Sequence, residues 1–233
     1  MTSLKTENKI SKSLRGFIPK HVSNKIVVGV YDFLATGNKL SRKDYSSHKK
    51  ANEEAFENNH KTVVNKNGGF IEDQCRYTDM FCGKYTMQYC GCEIMAVYNA
   101  LNCIGRRDEV SFPELINEFE RDGIALSGKI GVSPKAMEKV LKARGLKTVT
   151  SDKEAEFNDI GRKSRSLILT MYNDGTDITR QIHTVCISKK DGKYMGHNVF
   201  CNGKVTGAYD SVGDLIKGIN GGKAKGIFLI GIK

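Results

Sequence analysis

The sequence predicts an α+β fold in which N-terminal helices pack on a C-terminal antiparallel sheet. Between residues 91 and 144 the apolar residues recur at helical spacing. From residue 146 onward the period shortens to the alternation that is typical of strands. Helices that come first and strands that come later indicate an α+β architecture with a largely antiparallel sheet. The length of 233 residues allows one domain with a substantial extension.

The first 66 residues are predicted to form a basic extension, helical or partly disordered. They carry 13 Lys or Arg against 6 Asp or Glu, and therefore seven of the eleven net positive charges of the chain. Residues 1–16 are expected to be unstructured. A helix is expected to follow Ser23, a suitable N-cap, and to end at Gly37-Asn38.

Residues 41–59 have few apolar anchors and predict either an exposed helix or a linker. We place the start of the compact domain, residues 67–233, at the flexible sequence Asn67-Gly68-Gly69. A double glycine also invites self-cleavage of the leader type. Such a site prefers an apolar residue four positions before the cut, where this chain has Lys66. A flexible linker is therefore favoured.

The compact domain divides into a helical and a strand-forming part. Three helices are predicted at 91–103, 111–121 and 133–144, each followed by a glycine, and Ser111 with Glu114 forms a capping box. A shorter helix is predicted at 210–218. The predicted strands are 146–150, 166–172, 183–188, 194–200 and 225–232.

Composition excludes several classes of protein. No apolar run approaches the roughly 20 residues that cross a bilayer, so no membrane span is expected. The N-terminus lacks the apolar region of a secretory signal, which makes the cytoplasm the default location. Export or delivery without a classical signal remains the alternative. Nucleic acid is not favoured as a partner, because no aromatic stacking platform accompanies the positive charge.

Seven cysteines in a chain without a signal favour free thiols over a disulfide framework. The intervals from Cys75 to Cys82 and from Cys90 to Cys92 do not match the spacing of zinc ligands. Neither a metal nor an organic cofactor is expected.

Cys92 is the strongest candidate for a nucleophile. It begins a helix whose stripe of apolar residues is Ile94, Val97, Tyr98 and Leu101. A thiol in the first turn faces the positive end of the helix dipole and unpaired N–H groups, which stabilise a thiolate and an oxyanion. The more common fate of a free cysteine, as a small buried apolar side chain, is the alternative.

His183 and Asn198 complete a candidate catalytic trio. His183 heads a predicted strand, and a Lys-Lys-Asp-Gly turn returns the chain to a second strand that brings Asn198 near it. An amide oxygen accepts a hydrogen bond from the imidazole and fixes its tautomer. Cys, then His on a strand, then Asn on the next strand is the order found in papain.

The chain resembles the papain-like cysteine peptidase superfamily. The motifs that carry the resemblance are GCEIMAVYNALNCIG, HTVCI, GKYMGHN and IFLIGIK. It is most similar to the bacterial branch of bacteriocin-processing peptidases, which cleave after double-glycine leaders. The resemblance covers residues 80–233 and implies Cys92 as nucleophile, His183 as general base and acid, and Asn198 as the orienting residue, where leader peptidases commonly have Asp.

Two positions depart from the pattern of the leader peptidases. Their oxyanion glutamine lies six residues before the cysteine, whereas here the nearest glutamine, Gln88, lies four before Cys92. Their cysteine is commonly followed by glycine, whereas here Glu93 follows. Reading Cys90 as the nucleophile restores the glycine. His197 and Asn202 are the alternatives for the other two roles.

The expected activity is hydrolysis of a peptide or amide bond in a peptide or protein substrate, through a thioester on Cys92. Two alternatives stay open. One is a delivered papain-like toxin or effector module whose basic extension acts in delivery or binds an acidic immunity protein. The other is a binding module that keeps the fold without activity.

Overall fold

A computed structural model describes residues 12–35, 42–177 and 181–233 of the chain. Its architecture is α+β: helices pack on a five-stranded antiparallel sheet, as the sequence predicts. The helices are α1 (Lys12–His21), α2 (Asn24–Ala35), α3 (Arg42–Ala55), α4 (Lys61–Lys66), α5 (Met87–Cys90), α6 (Cys92–Cys103), α7 (Phe112–Arg121), α8 (Pro134–Ala143), α9 (Phe157–Arg162) and α10 (Val212–Gly218). The strands are β1 (Phe81–Cys82), β2 (Tyr85–Thr86), β3 (Thr148–Ser151), β4 (Ser166–Tyr172), β5 (Ile182–Lys190), β6 (Lys193–His197) and β7 (Lys225–Ile232).

The main sheet has the order β3-β7-β4-β5-β6, and each neighbouring pair is antiparallel. Strand β4 lies in its centre and is buried along its whole length. The hairpin of β5 and β6 turns at Asp191 and Gly192, both with positive φ, which suits the twist of a two-residue turn. Its register pairs Cys186 with His197.

Alternate residues of β4 belong to two hydrophobic clusters, one on each face of the sheet. Ile168 lies in the larger cluster with α6, α7 and α8, and Leu167 and Leu169 lie in the smaller cluster with α9 and α10. A sheet covered on both faces explains why β4 is buried at every position and why its sequence does not alternate between polar and apolar residues.

Local signals predicted the helix ends well. The Ser111 hydroxyl accepts from the backbone of Glu114 while the Glu114 carboxylate accepts from the backbone of Ser111, so the capping box is confirmed. The expected helix after Ser23 is α2. Strand β6 ends at His197, earlier than predicted, and α9 and the β1–β2 hairpin were not predicted because they are short.

The N-terminal segment contributes to the main core. Val28 of α2, Phe56 and Val64 are buried in the larger cluster, and a π-helical stretch, Phe56–His60, joins α3 to α4. The expectation of an exposed helix or linker at 41–59 is therefore only partly right, since the helix is anchored. Residues 12–16 are helical rather than unstructured, whereas residues 1–11 and Gly37-Asn38 lie outside the described residues.

The double glycine forms a packed turn and not a flexible linker. Gly68 and Gly69 have φ of 63° and 88° and end α4, with the Gly69 N–H donating to Val64. The amide of Asn102 on α6 donates to the Gly68 carbonyl at 3.0 Å. A side chain at Gly69 would collide with Asn102 and Arg107, which explains the glycine.

The sequence led us to expect free thiols, and this expectation is wrong for two of the seven cysteines. Cys75 and Cys201 form a disulfide across 126 residues, and the other five cysteines are free. The sequence could not show this pair because the fold alone brings them together.

Within the described ranges, no helix is long and apolar enough to cross a membrane.

Candidate active site

Cys92 lies at the first position of α6, directly after Gly91, as predicted. Helix α6 is buried from Cys92 to Leu101 between the sheet and α7 and α8, and Ala96 and Ala100 allow close packing. The Cys92 side chain is itself in the interior, with only 7% of the residue exposed.

Cys92 and His183 line the same open cavity of about 590 Å³, although they are 91 residues apart. The cavity wall is rich in carboxamide side chains. These are Gln74, Gln88, Asn173, Gln181 and Asn220. A carboxamide offers both a hydrogen-bond donor and an acceptor, which is what a peptide backbone requires of a binding site.

The tautomer of His183 follows from its hydrogen bond. Its Nε2 lies 2.7 Å from the backbone carbonyl oxygen of Asn198. Since a carbonyl only accepts, Nε2 carries the proton and donates it, which leaves Nδ1 as a proton acceptor in the neutral ring. Burial lowers the pKa of His183 below its ordinary value, so the ring is neutral at neutral pH.

The group of Asn198 that orients His183 is the backbone carbonyl and not the side-chain amide that we predicted. Oδ1 of Asn198 accepts from the Gln74 backbone at 2.9 Å, and Nδ2 donates to Oε1 of Gln74 at 3.3 Å. The Asn198 N–H donates to Glu72 at 3.0 Å. The chain leaves β6 with a positive φ of 58° at Asn198, so its amide faces the 72–74 segment.

The thiol of Cys92 donates to Oε2 of Glu93 at 3.2 Å. Among the residues the structure describes, no hydrogen bond joins this thiol to His183. Burial raises the pKa of Cys92 well above its ordinary value, the negative charge of Glu93 and its hydrogen bond add to this, and the backbone amide of Thr184 opposes it. The resting side chain is therefore a thiol, whereas the helix N-terminus alone predicted a thiolate.

Glu93 is an acidic side chain in the interior, 4% exposed. Burial raises the pKa of Glu93 to about 7, although the backbone N–H groups of Glu93 and Val132 bind the carboxylate. A side chain on Gly131 would meet the carboxylate at 2.7 Å, so the glycine makes room for it. No ion pair neutralises Glu93 within the part of the chain that the structure describes.

A second cavity, of about 260 Å³, is also lined by Cys92. Cys92 and Glu93 line it together with Tyr31 of α2 and Lys129. The N-terminal segment thus forms one wall of the candidate site. Burial raises the pKa of Tyr31, and the negative charge of Glu93 raises it further.

Gln88, the predicted oxyanion residue, is exposed and lines the larger cavity. Its backbone carbonyl accepts from the amide of Gln74 at 2.9 Å. Gln74 therefore links Gln88 to Asn198, and sequence reasoning missed it. Nothing in the local pattern could have found it, because its partners are 14 and 124 residues away.

The alternative site residues have other roles in the fold. The Cys90 thiol donates to backbone carbonyls, the nearest that of Thr86 at 3.3 Å. Both ring nitrogens of His197 are engaged, one by Glu72 at 2.6 Å and one by Ser188 at 2.7 Å. Asn202 accepts from the backbone of Lys204 at 3.0 Å and lines a different cavity.

Another thiol pair lies at the far end of α6. The sulfur atoms of Cys103 and Cys186 are 3.7 Å apart, and the hydrogen bond from Cys186 lowers the pKa of Cys103 to about 7. Cys103 is therefore the free thiol that any labelling experiment must control for.

The described ranges contain no group of three or more His, Cys, Asp or Glu side chains that could hold a metal ion.

Comparison with known proteins shows no matching family model, no matching curated protein and no matching solved structure.

Proposed function

We propose that this protein is a cysteine peptidase or amidase of the papain-like kind, which cleaves a peptide or amide bond through a thioester on Cys92. The observation that carries the proposal is that Cys92, at the start of a buried helix, and His183, with an acceptor nitrogen available, line one open cavity. Nucleophile and base in one cleft are the minimum for covalent catalysis.

The protonated thiol of Cys92 and the neutral ring of His183 support a general-base step and not a preformed ion pair. Nδ1 of the neutral ring accepts the Cys92 proton as the sulfur attacks the carbonyl carbon. The S–C bond forms, and the carbonyl electron pair moves to the oxygen, where the N–H groups of the first turn of α6 and the amide of Gln88 stabilise the charge.

The imidazolium then donates the proton it took from Cys92 to the leaving amine, and the C–N bond breaks. Water, deprotonated by His183, attacks the thioester carbonyl carbon and forms a C–O bond. The S–C bond then breaks, the carboxylic acid product leaves, and the imidazolium gives its proton to the sulfur. The carbonyl of Asn198 keeps the ring in place through both steps, because it accepts the Nε2 proton in the neutral and the charged ring alike.

The lining of the cavity supports a peptide as substrate. Five carboxamides surround the candidate pair, and Asp174 and Lys223 add one charge of each sign. Such a surface suits a polar extended chain better than an apolar small molecule.

Cleavage of a defined peptide library, read by mass spectrometry, tests the proposal. The wild-type protein is expected to cut a subset of peptides, and Cys92→Ala is expected to abolish every cut because no acyl-enzyme can form. Cys103→Ala, which removes the more acidic free thiol, is the matched control and should leave the cuts in place. Cleavage that survives in Cys92→Ala contradicts the proposal.

A delivered module is the second candidate, and the disulfide favours it. Disulfides such as Cys75–Cys201 persist in oxidising compartments, which a protein meets on export. An acidic immunity protein would then bind the basic chain. Pull-down of an acidic protein encoded beside this chain, with loss of peptide cleavage on binding, is the expected result. Binding without any loss of cleavage contradicts it.

A further inference from the structure

Glu93 is an unusual neighbour for a nucleophile. This acidic residue directly follows Cys92, lies in the interior and forms no described ion pair. Its Oε2 accepts a hydrogen bond from the Cys92 thiol, with 3.2 Å between sulfur and oxygen. A buried carboxylate without a cation is costly, so a fold keeps it only for a structural or functional reason.

A structural role alone does not explain the arrangement. A carboxylate in the first turn of α6 interacts favourably with the helix dipole, and it accepts the backbone N–H groups of Glu93 and Val132. Neither function requires that the thiol donate to it. Gly131, with φ of 75° and no side chain, leaves open the space that the carboxylate occupies.

We propose that Glu93 is a positioning residue of this site, whose carboxylate holds the thiol proton of Cys92 in the resting protein and thereby restrains formation of the thiolate. The inference rests on the proposed function, since it assigns Glu93 a role in controlling that nucleophile. A negative charge in hydrogen-bond contact with the sulfur disfavours a second negative charge there.

Groups on every surrounding element bear on this carboxylate. Tyr31 faces it from α2, Cys90 from α5 and Lys129 from the loop before α8, and all three line the smaller cavity with it. Lys129 is exposed at the rim and forms no described ion pair with Glu93. His183 lines the larger cavity together with Cys92. Glu93 is thus the acidic group in direct contact with the thiol.

The test is the pH profile of Cys92 alkylation by iodoacetamide, located by peptide fragmentation, in a Cys103→Ala background. Iodoacetamide reacts with the thiolate, so the midpoint of the profile reports ionisation of Cys92. Glu93→Gln keeps the shape and removes the charge. Its midpoint is expected to fall by about one unit or more, and alkylation at about pH 7.5 to become about tenfold faster.

Two results overturn the inference. One is a Glu93→Gln profile that superposes on the profile of the parent protein or moves to higher pH. The other needs no change at Glu93: a parent midpoint at or below the ordinary thiol value of about 8.5 means that no carboxylate restrains the sulfur.

The outcomes separate this inference from the proposed function. Peptide cleavage that depends on Cys92, together with superposed alkylation profiles, removes the role of Glu93 and keeps the peptidase. A lowered midpoint in Glu93→Gln, together with cleavage that persists in Cys92→Ala, keeps the role of Glu93 as the group that restrains the thiol and removes the peptidase.

Discussion

At Cys92, two physical effects act on the thiol in opposite directions. The helix N-terminus favours the thiolate by about 0.3–1 kcal/mol, and by about 2 kcal/mol in favourable buried geometries. Burial of an ionisable group shifts its pKa by up to about 3–5 units, which is a larger free energy. Burial and Glu93 therefore outweigh the dipole in the resting protein.

The position of Cys92 was predictable, and its protonation state was not. The apolar stripe of α6 and the preceding glycine are local signals, so the sequence placed the cysteine correctly at the helix start. Burial depends on the sheet and on α2, which are distant from Cys92 in the sequence. The contact of Asn198 with His183 was also not predictable from local sequence. Because Asn198 has a positive φ, its backbone carbonyl contacts the ring in place of the expected side-chain amide.

Glu93 also makes the stability of the protein depend on pH. Its pKa is about 7 in the folded protein against an ordinary value of 4.5. Because the pKa of Glu93 is higher in the folded than in the unfolded protein, protonated Glu93 favours the folded state. This contribution to the free energy of unfolding is fully present below pH 4.5 and is lost as the pH rises through about 7.

We therefore expect the stability of Glu93→Gln relative to wild type to rise by about 3 kcal/mol between pH 4.5 and pH 7.5, and then to level off. Urea unfolding at a series of pH values measures this difference. A difference that is constant across the series contradicts the burial of an ionised Glu93.

At the scale of elements, α2 connects the basic N-terminal segment to the site. Asn24 at its start donates to the carbonyls of Asp152 and Gly226 at 2.9 and 3.2 Å. Asp32 near its end accepts from Ser133 at 2.5 Å and pairs with Lys135 at 2.8 Å. These contacts hold Tyr31 at the wall of the smaller cavity.

The helix itself was predictable from its cap and apolar spacing, but its docking was not. Its hydrogen-bond partners Asp152 and Gly226 lie 128 and 202 residues from Asn24. Local sequence patterns do not reveal contacts at such separations. By contrast, the capping box of α7 joins residues three apart and could be recognised in the sequence.

Two valines on α2 test whether this helix belongs to the core. Val28 is 4% exposed in the main cluster, whereas Val30 is 50% exposed on the same helix. Val28→Ala is expected to lower the free energy of unfolding by about 1–3 kcal/mol, because it removes buried methyl groups. Val30→Ala, the matched control, should change it by less than about 0.5 kcal/mol. Equal effects in urea unfolding contradict the docking of α2.

At the scale of the whole molecule, the disulfide connects the two segments that position the imidazole. Cys75 follows Gln74, which binds the side chain of Asn198, and Cys201 follows Asn198 by three residues. The sheet order brings these segments together, since β6 is an edge strand that ends beside the 72–76 segment. An α+β fold was predictable from the change in periodicity, but this pairing depends on the complete topology.

Denatured, non-reduced protein is expected to show five titratable thiols, because two of the seven cysteines are joined. Replacing both Cys75 and Cys201 by Ser should lower the free energy of unfolding by about 3–5 kcal/mol, since the bond closes a long loop. A reductant should have the same effect on the wild-type protein and none on the double variant. A count of seven thiols contradicts the disulfide.

The most direct test of the central claim, that Cys92 is a nucleophile served by His183, is intact-mass and fragment analysis after exposure to a peptidyl vinyl sulfone. This probe combines a peptide, which the cavity should bind, with a carbon that captures an activated thiol. In the Cys103→Ala background, one adduct is expected at Cys92, and His183→Ala should slow its formation by about 100-fold or more. An adduct that forms at the same rate without His183, or that forms on any cysteine other than Cys92, would contradict the account.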